Sequence, residues 1–500
     1  MWLRQFRVIT AGLYFGLITL LFLDFTGSLH HWLGWLARIQ LLPALLALNV
    51  GVVVGLLTLT VLFGRIYCSV ICPLEVYQDV VSWVHGKQKR NRFSYSPALT
   101  WLRYGVLLLG IVAFIGGIGS VVALLDPYGA YGRIASNLMA PVYQWGNNAL
   151  AYLAGRMDSY AFYSVDVWMK NVATFVVAVL TFGILAVLAW RHGRTYCNTI
   201  CPVGTVLGLL AKIALFRPVI LPEKCSQCGL CARNCKASCI DHKTHTIDYS
   251  RCVTCFDCVA KCHQGALVYG GPKLRSQAKP LEKTNRGPDQ GDSSRRNFLS
   301  IATFFALATA IKAEENKVDG GLAVITGKKI PNRLTPLVPP GSQSASNFTL
   351  HCTACQLCVS VCSNQVLRPS SSLTKWMQPE MSFERGYCRP ECTKCSEVCP
   401  AGAILSITTA EKSAIQIGHA VWIKENCIVN AQDVSCGNCA RHCPVGAIQM
   451  VTKDASRPDS LKIPVVDLER CIGCGACENL CPVRPFSAIY VEGHERHRVV

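Results

Sequence analysis

Four times in this chain the cysteines follow the pattern C-x2-C-x2-C-x3-C. The groups are Cys225, Cys228, Cys231, Cys235; Cys252, Cys255, Cys258, Cys262; Cys352, Cys355, Cys358, Cys362; and Cys471, Cys474, Cys477, Cys481. Two variants keep the ending: Cys388, Cys392, Cys395, Cys399 opens with three intervening residues, and Cys427, Cys436, Cys439, Cys443 with eight. Three thiolates two residues apart wrap a tight loop around three corners of a cubane, and the fourth usually ligates the other cluster of a pair. Zinc needs only four sulfurs about a tetrahedral point and typically takes two separated pairs. Disulfides would not impose one spacing six times. The spacing therefore predicts six [4Fe–4S] clusters on 24 of the chain's 29 cysteines. Such clusters also stabilise folds whose apolar core is thin.

For the first two groups the crossed arrangement puts Cys225, Cys228 and Cys231 with Cys262, and Cys252, Cys255 and Cys258 with Cys235. Cys239 is then a spare or an alternative fourth ligand. The last four groups can pair first with second and third with fourth, or first with fourth and second with third.

Composition adds a second environment. The 500 residues are 51% hydrophobic and 16% charged, with a mean hydropathy of +0.30. A small disulfide scaffold and an ordinary cytosolic globule are both excluded. Four apolar stretches, Val8 to Phe25, Leu41 to Phe63, Trp101 to Leu125 and Val172 to Trp190, each have about the 20 residues that span a bilayer as helix. Lys and Arg in their flanks are unevenly shared. Arg4, Arg7, Arg65, Lys87, Lys89, Arg90, Arg92, Arg103, Arg191, Arg194, Lys212 and Arg217 fall on one side, against Arg38, Arg133, Arg156 and Lys170 on the other. By the positive-inside rule the N-terminus is expected in the cytoplasm. The net charge of +19 is then mainly topological, and no nucleic-acid motif accompanies it.

After a Lys-, Pro- and Gly-rich linker comes Ser293-Ser294-Arg295-Arg296-Asn297-Phe298-Leu299, an apolar run to Ile311, and small residues at Ala308 and Ala310. That order reads as a twin-arginine export signal inside the chain. The expected organisation is a four-span membrane domain (1–218), a cytoplasmic two-cluster module (219–270), a linker (271–292), the signal or a fifth anchor (293–313), a linker (314–347) and a periplasmic four-cluster domain (348–500). The fold class is membrane α, a four-helix transmembrane bundle, with small α+β ferredoxin-like modules.

Four cysteines belong to an internal duplication. Gly64-Arg65-Ile66-Tyr67-Cys68-Ser69-Val70-Ile71-Cys72-Pro73 matches Gly193-Arg194-Thr195-Tyr196-Cys197-Asn198-Thr199-Ile200-Cys201-Pro202 at seven positions. Two readings stand. Each C-x3-C-P is a capped turn at the cytoplasmic end of a span, or Cys68, Cys72, Cys197 and Cys201 form one shared thiolate site for a metal or a seventh cluster. No C-x2-C-H motif occurs, so attached c-type haem is not expected. His30, His31, His85 and His192 read as interfacial side chains. No relay is then expected inside the hydrocarbon layer, and electrons are expected to cross on a quinone or through a partner. The aromatic-rich loop from Asp126 to Lys170 is either a lipid-boundary belt or the mouth of a quinol pocket with Asp126 as proton acceptor.

Four spans, two G-R-x-Y-C-x3-C-P motifs and a cytoplasmic two-cluster module resemble the NapH-type membrane ferredoxins, akin to MauN and to the C-terminal half of NosR. The twin-arginine signal, Pro339-Pro340-Gly341 before Cys352, four cluster groups and the ending Cys481-Pro482-Val483 through Ala488-Ile489 resemble the NapG or MauM-type periplasmic ferredoxins. Departures are the missing prolines after Cys235, Cys262 and Cys362 and the extra Cys239. The resemblance implies a fusion in the bacterial inner membrane that passes electrons from quinol to a periplasmic reductase or cytochrome c, with a cytoplasmic donor as a further partner. A factor that supplies electrons or metal to a maturing periplasmic metalloenzyme is the alternative.

Overall fold

An apolar stretch becomes one helix only where no residue in it favours another backbone conformation. The computed structural model describes residues 2–88, 93–272 and 326–499, apart from 455 and 458. Its first 212 residues form α1 (Trp2–Leu23), α2 (Val50–Phe63), α3 (Pro73–Gln88), α4 (Thr100–Ile115), α5 (Gly119–Leu125), α6 (Pro127–Ile134), α7 (Ala140–Gly155), α8 (Val172–His192) and α9 (Pro202–Ala211), with short helical turns between. The linker from residue 273 onward and the twin-arginine segment lie outside the described residues.

α1 and α8 are the two helices, among the described residues, long and apolar enough to cross a membrane. The other two expected spans are broken. In the second, Leu48 takes a positive φ of 52°, and the Asn49 side chain caps α2 by accepting from the Val52 N–H. In the third, Gly116 and Gly117, the latter at φ 71°, end α4 before α5 begins. Asn and Gly provide the cap and the left-handed residue that a helix end needs. The expected long loop after Asp126 is instead largely helical: α6, a π-helical turn over Ala135–Met139, and α7. Every residue of α6 is buried.

The duplicated motif governs the packing. Each copy opens on a glycine with positive φ, Gly64 at 78° and Gly193 at 67°. A Cβ at Gly64 would lie 2.7 Å from Thr254 Oγ1, and one at Gly193 would overlap the Lys236 carbonyl. A short helical turn carries the first cysteine of each copy, and the second cysteine precedes Pro73 or Pro202, the first residue of α3 or α9. Proline suits that position because its missing N–H would be unpaired there anyway.

Each motif helix packs against the other repeat's long helix, α3 on α8 and α9 on α2. Tyr77 Oη donates to the Phe182 carbonyl at 3.1 Å and Ser82 Oγ to that of Ala189 at 3.0 Å, so α3 and α8 run the same way. Cys72, at the head of α3, therefore lies beside the interior of α8, not beyond its end.

Several basic residues counted in the flanks also have structural contacts. Arg7, Arg65, Arg103 and Arg194 are buried and hydrogen-bonded. Burying a charge without partners is costly, which accounts for those contacts.

The first cysteine module has β1 (Arg217–Ile220), the β2 (Ile240–Asp241) and β3 (Thr246–Ile247) hairpin, and β4 (Leu267–Gly270), which pairs antiparallel with β1. It sits on the end of α2, where Thr254 Oγ1 and Tyr269 Oη both donate to the Phe63 carbonyl. The second module pairs β5 (Leu367–Pro369) with β6 (Pro379–Met381), β7 (Ile415–Trp422) with β10 (Ile489–Val499), and β8 (Ile448–Thr452) with β9 (Lys462–Val466). It rests on α6 and the π turn. Arg133 Nη1 donates to the Ala354 carbonyl and Asn137 Nδ2 to Gln356 Oε1. A Cβ on Gly129 would lie 2.5 Å from the Thr353 carbonyl oxygen, and one on Gly132 would overlap that of Cys355. Gly132→Ala should therefore destabilise this docking by about 1–3 kcal/mol, as overpacking does. Faster limited proteolysis of the second module in the detergent-solubilised protein is the expected signal, and unchanged kinetics would refute the contact.

Candidate metal centres

Four of the six cysteine groups line cavities, and the other two lie beside each other. Cys225, Cys228 and Cys231 line one cavity with Cys262. Cys252, Cys255 and Cys258 line a second with Cys235 and Cys239. In the second module, Cys352, Cys355 and Cys358 share a cavity with Cys399, and Cys388, Cys392 and Cys395 share one with Cys362. Cys439 interacts electrostatically with Cys427, Cys436 and Cys481, and Cys471 and Cys474 with Cys443. Cys477 joins the last set. In all three pairs the fourth cysteine crosses over, and the pairing in the second module is first with second and third with fourth.

The loops share one backbone shape. The residue before the second cysteine and the one after it are left-handed in all four C-x2-C-x2-C loops: Gln227 and Gly229, Thr254 and Phe256, Ala354 and Gln356, Gly473 and Gly475. Alternating hand turns successive N–H groups inward and makes an anion-binding concavity typical of iron–sulfur sites. The Ala354 N–H accordingly points at Cys352 Sγ, 3.4 Å away, and the Ala447 N–H at Cys443 Sγ, 3.2 Å away.

Among the described residues, no three His, Cys, Asp or Glu side chains converge tightly enough for a single metal ion. The cysteines stand around a volume instead, and a cubane fits that donor set. Burial raises the Cys474 thiol to about 12 and those of Cys231 and Cys439 to about 11, so a metal must displace protons to bind. Cys235 differs: its sulfur lies 3.5 Å from that of Cys239. The hydrogen bond from Cys239 brings its thiol down to about 7.

Cys68, Cys72, Cys197 and Cys201 come together from the two repeats. All four are buried, between 4% and 5% exposed. Each of the others interacts electrostatically with Cys197. Donors face the sulfurs: Arg65 Nη2 at 3.7 Å from Cys68, Gln78 Nε2 at 3.2 Å from Cys197, and the Gly204 N–H at 3.4 Å from Cys201. The last contact is a helix cap, so the capped-turn and shared-site readings coexist in one arrangement.

This group lies between the two modules. Arg65 binds Cys68 on one side and the Ser250 carbonyl of the first module on the other. Asp126 interacts with both Cys201 and Cys355. The interior therefore contains four buried thiols that Arg65 and Asp126 connect to residues of both modules.

Asp126 itself is 1% exposed. It caps α6, accepting from the Gly129 N–H at 2.7 Å and the Tyr128 N–H at 3.3 Å. His30, expected at the interface, is buried beside Asp24, with Nδ1 3.3 Å from Oδ2. The aromatic segment does border a cavity of about 250 Å3, lined by Phe25, Tyr163, Trp168, Lys170 and Cys362. Neither spacing nor composition marks Gln78 and Glu75, or the contacts that Arg65 and Arg194 make. The two arginines were visible as invariant members of the duplicated motif.

Comparison with known proteins agrees with this architecture. The 4Fe-4S binding domain family matches residues 45–91 and again 174–220, one C-x3-C-P motif in each, and the 4Fe-4S dicluster domain family matches 434–484. The methylamine utilization ferredoxin-type protein MauM of Methylophilus methylotrophus is 31% identical over 212 residues, 40% of this chain and 88% of MauM. The ferredoxin-type protein NapH of Escherichia coli is 26% identical over 239 residues, 45% of this chain and 69% of NapH. An uncharacterized protein of Methanocaldococcus jannaschii is 30% identical over 99 residues, 20% of this chain and 39% of its own length. No solved structure matches. The chain belongs to the ferredoxin-type [4Fe–4S] proteins of the MauM kind and is an electron-transfer protein.

If Cys235 is a ligand and Cys239 a neighbour, Cys235→Ser should lower iron content by about four atoms, one cubane. Cys239→Ser should leave it unchanged. Iron and acid-labile sulfide assays decide, and equal losses from both variants would refute the assignment.

Proposed function

We propose that this chain is a membrane-bound polyferredoxin that takes electrons from the quinol pool and delivers them to a periplasmic cytochrome or reductase. Its N-terminus and first module lie in the cytoplasm, and the second module is exported behind the twin-arginine signal. The 24 cysteines of the six groups hold six [4Fe–4S] clusters, and Cys68, Cys72, Cys197 and Cys201 hold a further centre. Bound clusters supply one-electron relays.

The chain's own residues do the rest. Cys388 N–H donates to the Cys474 carbonyl at 2.9 Å, and Cys358 interacts with Cys395 and Cys399. The four sets of the second module are thereby held in a row running from α6 outward. Arg65, Arg194 and the Ser250 to Cys255 loop join the four-thiol group to the first module. The observation that carries the reading is the burial of four thiols between two cysteine-lined modules. It supports conduction through the protein, which a pair of independent ferredoxins on opposite faces would not need.

The quinol site is assigned to the cavity beside Cys362. It opens where α1 ends and α8 begins, with Phe25, Tyr163 and Trp168 as apolar walls and Lys170, Asp166 and Gln365 as polar groups. A pocket with aromatic walls on one part of its lining and polar groups on the rest suits an amphiphilic head group.

Menaquinol added to the purified chain should reduce its clusters, seen as the electron paramagnetic resonance signals of reduced [4Fe–4S] centres. No reduction would refute the quinol reading and favour metalloenzyme maturation, as would a deletion strain that still oxidises quinol but accumulates metal-deficient enzyme. Lys170→Met should slow quinol-driven reduction about tenfold with iron content unchanged. The double variant Cys68→Ser, Cys201→Ser should leave reduction of the second module by quinol intact and slow exchange with the first module at least tenfold. An unchanged exchange rate would remove the four-thiol group from the path.

A further inference from the structure

The two copies of the duplicated motif treat their arginines differently. Arg65 and Arg194 stand at equivalent positions, and both are buried, at 0% and 1% exposure. Arg194 is neutralised. Its Nη1 lies 2.6 Å from Glu75 Oε1, and its Nη2 lies 2.6 Å from Asp79 Oδ1. Those carboxylates stand three and seven residues after Cys72. Three and seven residues after Cys201 stand Gly204 and Gly208. A Cβ on Gly204 would fall 2.8 Å from Arg65 Nη2, and one on Gly208 would fall 2.8 Å from Arg103 Nη2. Guanidinium groups occupy the space that side chains take in the other repeat, so no carboxylate can stand there.

Arg65 is left with neutral protein acceptors. Its Nη1 donates to Asn198 Oδ1 at 2.9 Å and the Ser250 carbonyl at 3.1 Å, and its Nη2 to the Cys197 carbonyl at 3.4 Å and Cys68 Sγ at 3.7 Å. Its Nε has no partner. Glu75 and Cys197 also act on it electrostatically, but Glu75 is already engaged by Arg194. Arg103, on the same Ser250, adds a second positive charge, which Asp248, accepting from the Ser250 hydroxyl, partly offsets. A buried cation without a counter-ion is strongly unfavourable, so an anion is expected within reach.

We infer that Arg65 is the fixed countercharge of an anionic metal–thiolate centre held by Cys68, Cys72, Cys197 and Cys201. Four thiolates carry four negative charges, more than an oxidised cubane core supplies, so the centre is negative. The inference rests on the proposed reading of these thiols as a metal centre. Glycine at 204 and 208 keeps Arg65 from being neutralised within the protein, while Glu75 and Asp79 cancel Arg194. Arg65 is a positioning residue: a cation at this place favours the more negative, reduced form and raises the reduction potential.

Four variants of the full-length chain in detergent test this, with metal content by mass spectrometry and midpoint potentials by electron paramagnetic resonance titration. Asn198→Asp keeps the shape and sets a carboxylate on Arg65, and it should lower the midpoint of the four-thiol centre or cut its metal occupancy severalfold. Arg65→Gln should do the same, and Arg65→Lys should restore most of the loss. The other clusters should not move. Wild-type occupancy and potential in Asn198→Asp would overturn the inference even if Arg65→Gln fails to fold. If Cys68→Ser, Cys201→Ser binds as much metal as wild type, the centre itself is absent and the reading beneath the inference fails separately.

Discussion

The helix that follows each C-x3-C-P motif lies against the long helix of the opposite repeat, α3 on α8 and α9 on α2, and most of the structure depends on that exchange. It draws the second cysteine of each motif back along a neighbouring helix and so buries Cys68, Cys72, Cys197 and Cys201 together. Glycine at the head of each motif permits the reversal, through a positive φ and the lack of a side chain against Thr254 or Lys236. Proline then starts a new helix without sacrificing a hydrogen bond.

Burying that turn also buries charge. Arg7 and Arg194 share Asp79, Lys236 bridges Asp79 and Asp257, and Arg4 reaches Asp257. The network ties α1, α3, the second motif and the first cysteine module into one unit. A positive charge beside an apolar stretch looks alike in sequence whether it faces water or a carboxylate on a distant helix. For this reason Arg7, Arg65, Arg103 and Arg194 are legible in sequence as flanking charges but not as buried ones.

On the other side, small residues set the distance. Gly129 and Gly132 let α6 approach the backbone of the Thr353 to Cys355 loop, and Asn137 and Arg133 fix it with hydrogen bonds to Gln356 and Ala354. The second module is thereby seated with one cysteine-lined cavity against the helices and the rest in succession beyond it. Close backbone approach, within an apolar core that the helices share with the second module, decides which cysteine set stands nearest the four buried thiols.

The chemistry is legible in local spacings: the number and type of cysteine groups, the crossed pairing of the first two, and the duplication that holds four of the five remaining cysteines. A loop around a cubane has little freedom once its thiols are placed. The sequence by itself also marked the apolar stretches, though not their breaks at Leu48 and Gly117, where one left-handed residue outweighs a strong hydropathic signal. Tertiary structure alone decided that the second module pairs first with second and third with fourth, that Asp126 caps a buried helix, and that the repeats interlock. It alone left Arg65 without the carboxylates that Arg194 holds. Each of these depends on which side chains far apart in the chain share a space, and neither spacing nor periodicity carries that information.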